Sequence, residues 1–189
     1  MHQYLPNIFI FVDQYNNQIF KNKNQNIGII YRNYNGRQRE KQLVKIAKAC
    51  KKSRYQLFVS NDLKLALKVK ANGIYIPSFN KTKKFSNLEK KSITIIGSAH
   101  NQKEIQNKIS QNCSAIFLSP IFHVDKSKKF LGLYKFNYLS HSNKVNILAL
   151  GGISDNNIGK LKLLNIKGFG GIRIFKKKPA LKKAGFYKY

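Results

Sequence analysis

A chain of 189 residues, 42% hydrophobic and 12% aromatic, is long enough to bury a core and too apolar to be a disordered tail. Its 36 Lys+Arg against 7 Asp+Glu give a net charge of +29, a field that draws in anions. Two cysteines with no C-x-x-C spacing and no histidine at ligand spacing argue against a disulfide framework and a structural zinc site.

Such a charge usually points to nucleic acid or an anionic membrane. The same chain is crowded with Asn and Ile, which share A/T-rich codons with Lys, and its lysines run through every segment instead of forming one stripe. We read the charge as compositional, keep nucleic acid as a competing partner class, and expect its main consequence to be attraction of small phosphorylated substrates. Leu5–Val12 is too short to span a bilayer and has no basic residues before it, so neither a signal peptide nor a membrane segment is expected. Reduced cysteines fit a cytoplasmic protein, with Cys50 and Cys113 as core thiols.

In chain order, Ile8–Val12 is an apolar run ending at Asp13, and Ile27–Tyr31 is another ending at Arg32. The polar stretch 14–26 between them predicts a short or degenerate helix. Arg37–Lys52 reads as a helix, with Leu43, Ile46, Ala47 and Cys50 on one stripe. Gln56–Val59 is a strand, and Ser60-Asn61-Asp62 offers cap chemistry for a helix through Leu65, Ala66 and Val69. Gly73–Ile76 is a strand stopped by Pro77, followed by a basic loop over 78–91.

Ile93–Ile96 is the next strand, ending in Gly97-Ser98, and Asn101–Asn112 a helix with Ile105 and Ile109 inward. Ala115–Leu118 precedes a long loop to about Gly132 and a helix near 134–142. Ile147–Leu150 runs into Gly151-Gly152, a helix is predicted over Asn156–Leu164, and Phe169–Ile174 is the last strand. Pro179–Ala184 suggests a short closing helix.

Eight buried strands separated by crossovers predict a parallel sheet, and eight favour its closure into a compact (β/α)₈ TIM barrel spanning 1–189 as one domain. In such a barrel two successive strands ending in glycine form a phosphate-binding corner, where backbone amides approach an anion closely.

Gly97-Ser-Ala-His100, Leu118-Ser-Pro-Ile-Phe122 with Ser127-Lys128, Ala149-Leu-Gly-Gly-Ile153 and Gly168–Ile174 stand in that order. Tyr31-Arg32, Ser60-Asn-Asp62 before Leu65-Ala66, and Ala71-Asn-Gly-Ile-Tyr-Ile76 precede them. This ordered set resembles the thiamine phosphate synthase/TenI family over about Ile8 to Phe175. The resemblance implies that hydroxymethylpyrimidine diphosphate condenses with a thiazole phosphate to give thiamine phosphate and pyrophosphate. It also implies Mg²⁺ on the diphosphate and a possible homodimer. Two alternatives stand beside it: a TenI-like paralogue acting on, or binding, another phosphorylated or thiamine-related ligand, and a nucleic-acid-binding protein.

Residue by residue, the resemblance places Arg32 and Lys128 on the leaving pyrophosphate, where permanent charge suits a diphosphate. Ser98 and Ser127 fall beside the substrates, and Gly152 with the Gly171-Ile172-Arg173 turn forms the phosphate corner. Several departures matter. Ile30 and Tyr34 stand where the family has Gln and Lys. The metal-binding aspartates fall on Asn61 and on Asn80 or a neighbour, with no acid before Glu89. Asp62 would bind metal if the register slips by one, or else cap its helix. Ser98 would bond the pyrimidine or cap the helix near Asn101, and His100 reads as a buried hydrogen-bonding residue. The family loop's Pro-Thr is His123-Val124 here. The histidine of TenI-type thiazole tautomerases matches Pro120, so that activity is not implied.

Overall fold

The computed structural model describes residues 4–21, 26–86, 88, 92–125, 127 and 129–172. Strands β1 (Ile8–Val12), β2 (Ile27–Tyr31), β3 (Gln56–Ser60), β4 (Gly73–Ile76), β5 (Thr94–Ala99), β6 (Ala115–Leu118), β7 (Asn146–Leu150) and β8 (Gly168–Gly171) pair in sequence order into a closed barrel. Every pairing is parallel, and the seam closes with Ile8 against Phe169 and Ile10 against Gly171. Among the described residues four α-helices lie between strands: α1 (Arg39–Ser53), α2 (Leu63–Lys68), α3 (Gln102–Ser110) and α4 (Gly132–His141). The predicted (β/α)₈ barrel is the observed fold.

Alternation along each strand sorts the core into two layers. Ile8, Ile10, Ile27, Ile29, Leu57 and Val59 face outward against Leu43, Ile46 and Cys50 of α1 and their neighbours. Phe9, Phe11, Ile30, Phe58, Tyr75, Ile96, Phe117 and Leu148 fill the interior. The aromatic rings meet edge to face, with Phe9–Phe117 at 5.2 Å and Phe11–Tyr75 at 5.4 Å. Glycines make room for them: a Cβ on Gly28 would lie 2.6 Å from the Phe9 ring, and one on Gly170 would lie 2.8 Å from Phe117. Each fully buried ring contributes roughly 1.5–3 kcal/mol of transfer free energy. The filled interior leaves no space for a ligand inside the barrel.

Between β1 and β2 the described residues form a 3₁₀ turn, Asn17–Phe20. Within the stretch 14–26, predicted as a short or degenerate helix, this turn is what the described residues show; residues 22–25 lie outside them. Tyr15, Phe20 and Tyr55 cover the sheet here, with stacked Tyr15 and Phe20 rings 5.7 Å apart. The helix predicted over Asn156–Leu164 is corrected to a 3₁₀ segment, Ile158–Leu163. Gly159 sits inside it, weakening α-helical propensity, and Leu164 is already extended. The last strand is seen to Gly171; the rest of the predicted 169–174 run beyond Ile172 and the closing helix over 179–184 lie outside the described residues.

Candidate active site at the barrel mouth

Because all eight strands are parallel in one closed barrel, their C-terminal ends open on one face. Arg32, Asn61, Ser98, Pro120, Gly151 and Gly171 all stand at or just past those ends. Active sites of this architecture form on that face.

Arg32 follows β2, its amide donating to the Val12 carbonyl at 2.8 Å. Its guanidinium lies 5.6 Å from the centre of the Phe11 ring, one of the interior aromatics. The side chain borders a cavity of about 360 Å³ walled by Phe11, Asp13, Gln14, Asn16 and Ile172. Its size suits a small molecule. Arg32 and Ile172, both singled out from the sequence, thus meet at one opening; Asp13, read there only as a strand end, supplies a carboxyl to the same wall.

The loops after β3 and β4 hold the positions where the resemblance expects metal-binding acids. Asn61 adopts a left-handed conformation, φ 56°, and its amide donates to the Tyr75 carbonyl at 2.9 Å. The side-chain Nδ2 of Asn80 donates to Oδ1 of Asn61. Asp62 is engaged on both oxygens: Oδ1 caps α2 by accepting from the Leu65 amide at 2.9 Å, and Oδ2 accepts from Arg39 Nη1 at 3.0 Å. Magnesium takes hard, largely anionic oxygen ligands. Two amides bonded to each other and a carboxylate held by an arginine do not make that donor set. Among the described residues no group of three or more His, Cys, Asp or Glu side chains gathers at any point.

Behind the β4 loop lies a group the sequence reading placed wrongly. Ile109, expected inward, is 36% exposed, and Lys108 is buried to 1%. The Lys108 ammonium donates to the Pro77 and Asn80 carbonyls at 2.8 and 2.7 Å and to Gln111 Oε1 at 2.8 Å. Gln111, also 1% exposed, donates to the Asn80 and Thr82 carbonyls at 3.0 and 2.7 Å. Burial draws the Lys108 pKa down to about 8. Its stem runs where Gly97 leaves space, since a Cβ there would stand 2.7 Å from Lys108 Cδ. The sequence signal was a lysine three residues after the buried Ile105, on the apolar stripe.

Ser98 lies within β5, not after it, and is 5% exposed. It does not cap α3, a role taken by Asn101, whose Oδ1 accepts from the Glu104 amide. Ser98 Oγ accepts from the Tyr75 hydroxyl at 2.9 Å; burial pushes the Tyr75 phenol up to about 12. Ser60 Oγ and the Tyr34 hydroxyl lie 3.0 Å apart beside it. His100, expected to be buried, is exposed at the rim because it follows the last residue of β5. Its Nδ1 donates to the Ser119 carbonyl at 2.7 Å, and Nε2 shares a hydrogen bond with Ser78 Oγ at 3.2 Å.

Past β7, Gly151 and Gly152 have φ of 94° and 71°, a region that favours glycine. Neither their amides nor that of Ile172 takes a hydrogen bond among the described residues. The same glycines admit the β6 loop: a Cβ on Gly151 would stand 2.7 Å from Pro120 Cβ, and one on Gly152 would strike the Phe122 and His123 backbone. In that loop Ser127 Oγ is tied to the Lys129 backbone, accepting from its amide at 3.2 Å and donating to its carbonyl at 3.1 Å. Lys128 and Arg173 lie outside the described residues.

A profile of the thiamine monophosphate synthase family matches residues 21–175. The chain belongs to that family. Thiamine-phosphate synthase from Prochlorococcus marinus subsp. pastoris is 32% identical over 125 residues, covering 65% of this chain and 36% of that protein. The enzyme of another Prochlorococcus marinus strain, SARG, is 36% identical over 131 residues, with 65% and 36% covered. The chain therefore spans about a third of the length of these curated relatives. Among solved structures, thiamine phosphate pyrophosphorylase from Pyrococcus furiosus superposes with a TM-score of 0.77 at 16% identity, covering 95% of both chains. That from Bacteroides thetaiotaomicron gives 0.64 at 13%, covering 98% of this chain and all of the other. At those identities the likeness concerns the fold. Among the described residues no helix of this thiamine monophosphate synthase family member is long and apolar enough to cross a membrane.

Proposed function

We propose that this chain is a thiamine phosphate synthase-like transferase, joining hydroxymethylpyrimidine diphosphate to thiazole phosphate. The observation that carries the reading is Arg32 at a cavity of about 360 Å³ on the barrel mouth of a chain matched by this family's profile over 21–175. The bond between the pyrimidine methylene and the diphosphate oxygen breaks, the thiazole nitrogen forms the new C–N bond, and pyrophosphate leaves. Positive charge develops on the methylene and negative charge on the leaving group, so fixed charge and positioning supply the catalysis.

Arg32 offers a fork of charged donors to the departing diphosphate, with Lys128 as a second cation from the β6 loop. The Ser98 hydroxyl bonds the pyrimidine in this reading, which its hydrogen bond from Tyr75 supports by orienting it. The open amides of Gly151, Gly152 and Ile172 suit the thiazole phosphate, with Arg173 adding charge. No step is assigned to magnesium, because the donors after β3 and β4 do not fit it.

The amide pair Asn61–Asn80 favours a second reading: a TenI-like paralogue that keeps the phosphate corner and acts on, or binds, another phosphorylated ligand. Calorimetry with thiazole phosphate tests the shared element. Binding that is lost on substitution of Gly152 supports a phosphate corner; no binding to the unaltered protein at millimolar ligand contradicts both readings.

A further inference from the structure

We propose that this chain holds its phosphorylated ligand without a divalent cation, the Asn61–Asn80 amide pair and the buried ammonium of Lys108 fixing the two loops that a shared metal ion would tie together. The inference rests on the phosphate-site reading above and adds to it a positioning residue, Lys108, and a ligand-binding mode.

A metal ion held by acids on two loops does two things: it cross-links the loops and it presents positive charge to the ligand. Two carboxylates at these positions would repel each other without a cation between them. Two amides are complementary, and here Asn80 Nδ2 donates directly to Asn61 Oδ1. The loop after β4 is then clamped from behind. All three Lys108 protons are used, on Pro77 O, Asn80 O and Gln111 Oε1. The Asn80 carbonyl also accepts from Gln111, which reaches on to Thr82. Residues 77–82 are thus pinned at three backbone carbonyls, and the Asn80 side chain is left to face Asn61.

The second function, charge, follows from what surrounds the ammonium. Its three acceptors are neutral. Glu104, the acid on the same helix, is turned to the His100 amide and the Asn101 side chain. A buried cation without a carboxylate on it costs desolvation free energy, which a purely structural plug of apolar residues would avoid. Placed behind the mouth, it contributes a fixed positive potential to an anionic ligand. Gly97 is the enabling residue, since any side chain there would fill the passage of the Lys108 stem.

Manganese binding to the full chain, followed by electron paramagnetic resonance, tests the metal half. The wild-type chain should leave Mn²⁺ free, and N61D/N80D should take it up. One tightly held equivalent on the wild type overturns the inference. Calorimetric titration with inorganic pyrophosphate tests the ligand half. Binding should occur in EDTA, and Lys108→Met and Asn80→Ala should each weaken it about tenfold through loosening of the loop they hold. Because one acts through the other, the double variant should be no weaker than Lys108→Met alone; additive losses overturn the positioning role. If Lys108→Met does not fold, Asn80→Ala decides, and unchanged affinity counts against the pair. Binding only with Mg²⁺ present overturns the inference alone, whereas none in either condition overturns the phosphate-site reading and the inference with it.

Discussion

The Lys108 side chain crosses the space left by Gly97: a Cβ on that glycine would stand 2.7 Å from Lys108 Cδ and 2.9 Å from Cys113 Sγ. The relationship links a strand of the barrel to the loop at its mouth, because the same lysine ends on the Pro77 and Asn80 carbonyls.

Gly97→Ala should therefore destabilise the fold by about 1–3 kcal/mol, the usual cost of overpacking a close-packed interior. Urea unfolding measures it. A midpoint unchanged from the wild type would mean that the lysine stem moves aside without cost.

Lys108 also gives a pH signature. Its pKa is lowered from 10.5 in the free side chain to about 8 in the fold, so between those values the unfolded chain binds more protons than the folded one. Stability contributed through this group must rise with pH across that window, with a limiting slope of about 1.4 kcal/mol per pH unit. Tyr75 works in the opposite direction only above about pH 10, where the unfolded phenol begins to ionise. Wild-type stability relative to Lys108→Met should accordingly climb from pH 8 to about 10. A flat difference would contradict the buried ammonium.

Asp62 is predicted to matter for stability and not for metal. Asp62→Ala removes the α2 cap and the Arg39 ion pair together and should cost about 1–2 kcal/mol. Asp62→Asn keeps an acceptor for the Leu65 amide and should cost less. Paired denaturant curves check the order of the three proteins.

The barrel was legible because most of its strands are short apolar runs stopped by a polar residue, glycine or proline, and Leu43, Ile46 and Cys50 mark the buried face of α1 by spacing alone. Arg32 was legible for the same reason: it stands one residue past a buried strand. Lys108 was not. Its burial depends on a void at Gly97 and on carbonyls 28 and 31 residues away in the chain, and neither is a local pattern. The Asn61–Asn80 bond was half visible, since the sequence located two amides at expected acid positions but could not say that they meet. His100 was misplaced because β5 runs through Gly97 and Ser98 to Ala99, which pushes the next residue out to the rim.

Arg32 should be needed for affinity and not for folding. Arg32→Ala should weaken pyrophosphate binding by about 1.5–3 kcal/mol, as expected for a lost charge-assisted hydrogen bond. Arg32→Lys should recover part of this, because it restores charge but not the two-pronged geometry. Calorimetry on both variants measures the order; an alanine variant that binds as well as the wild type would remove Arg32 from the site.

The most direct measurement incubates the pure protein with hydroxymethylpyrimidine diphosphate and thiazole phosphate, in EDTA and in Mg²⁺, and follows thiamine phosphate and pyrophosphate. A synthase-like transferase with a metal-independent site should form both products in equal amounts, in EDTA as well as in Mg²⁺. Thiamine phosphate formed only with Mg²⁺ would contradict the metal-independent site, and none formed in both conditions would contradict the transferase reading.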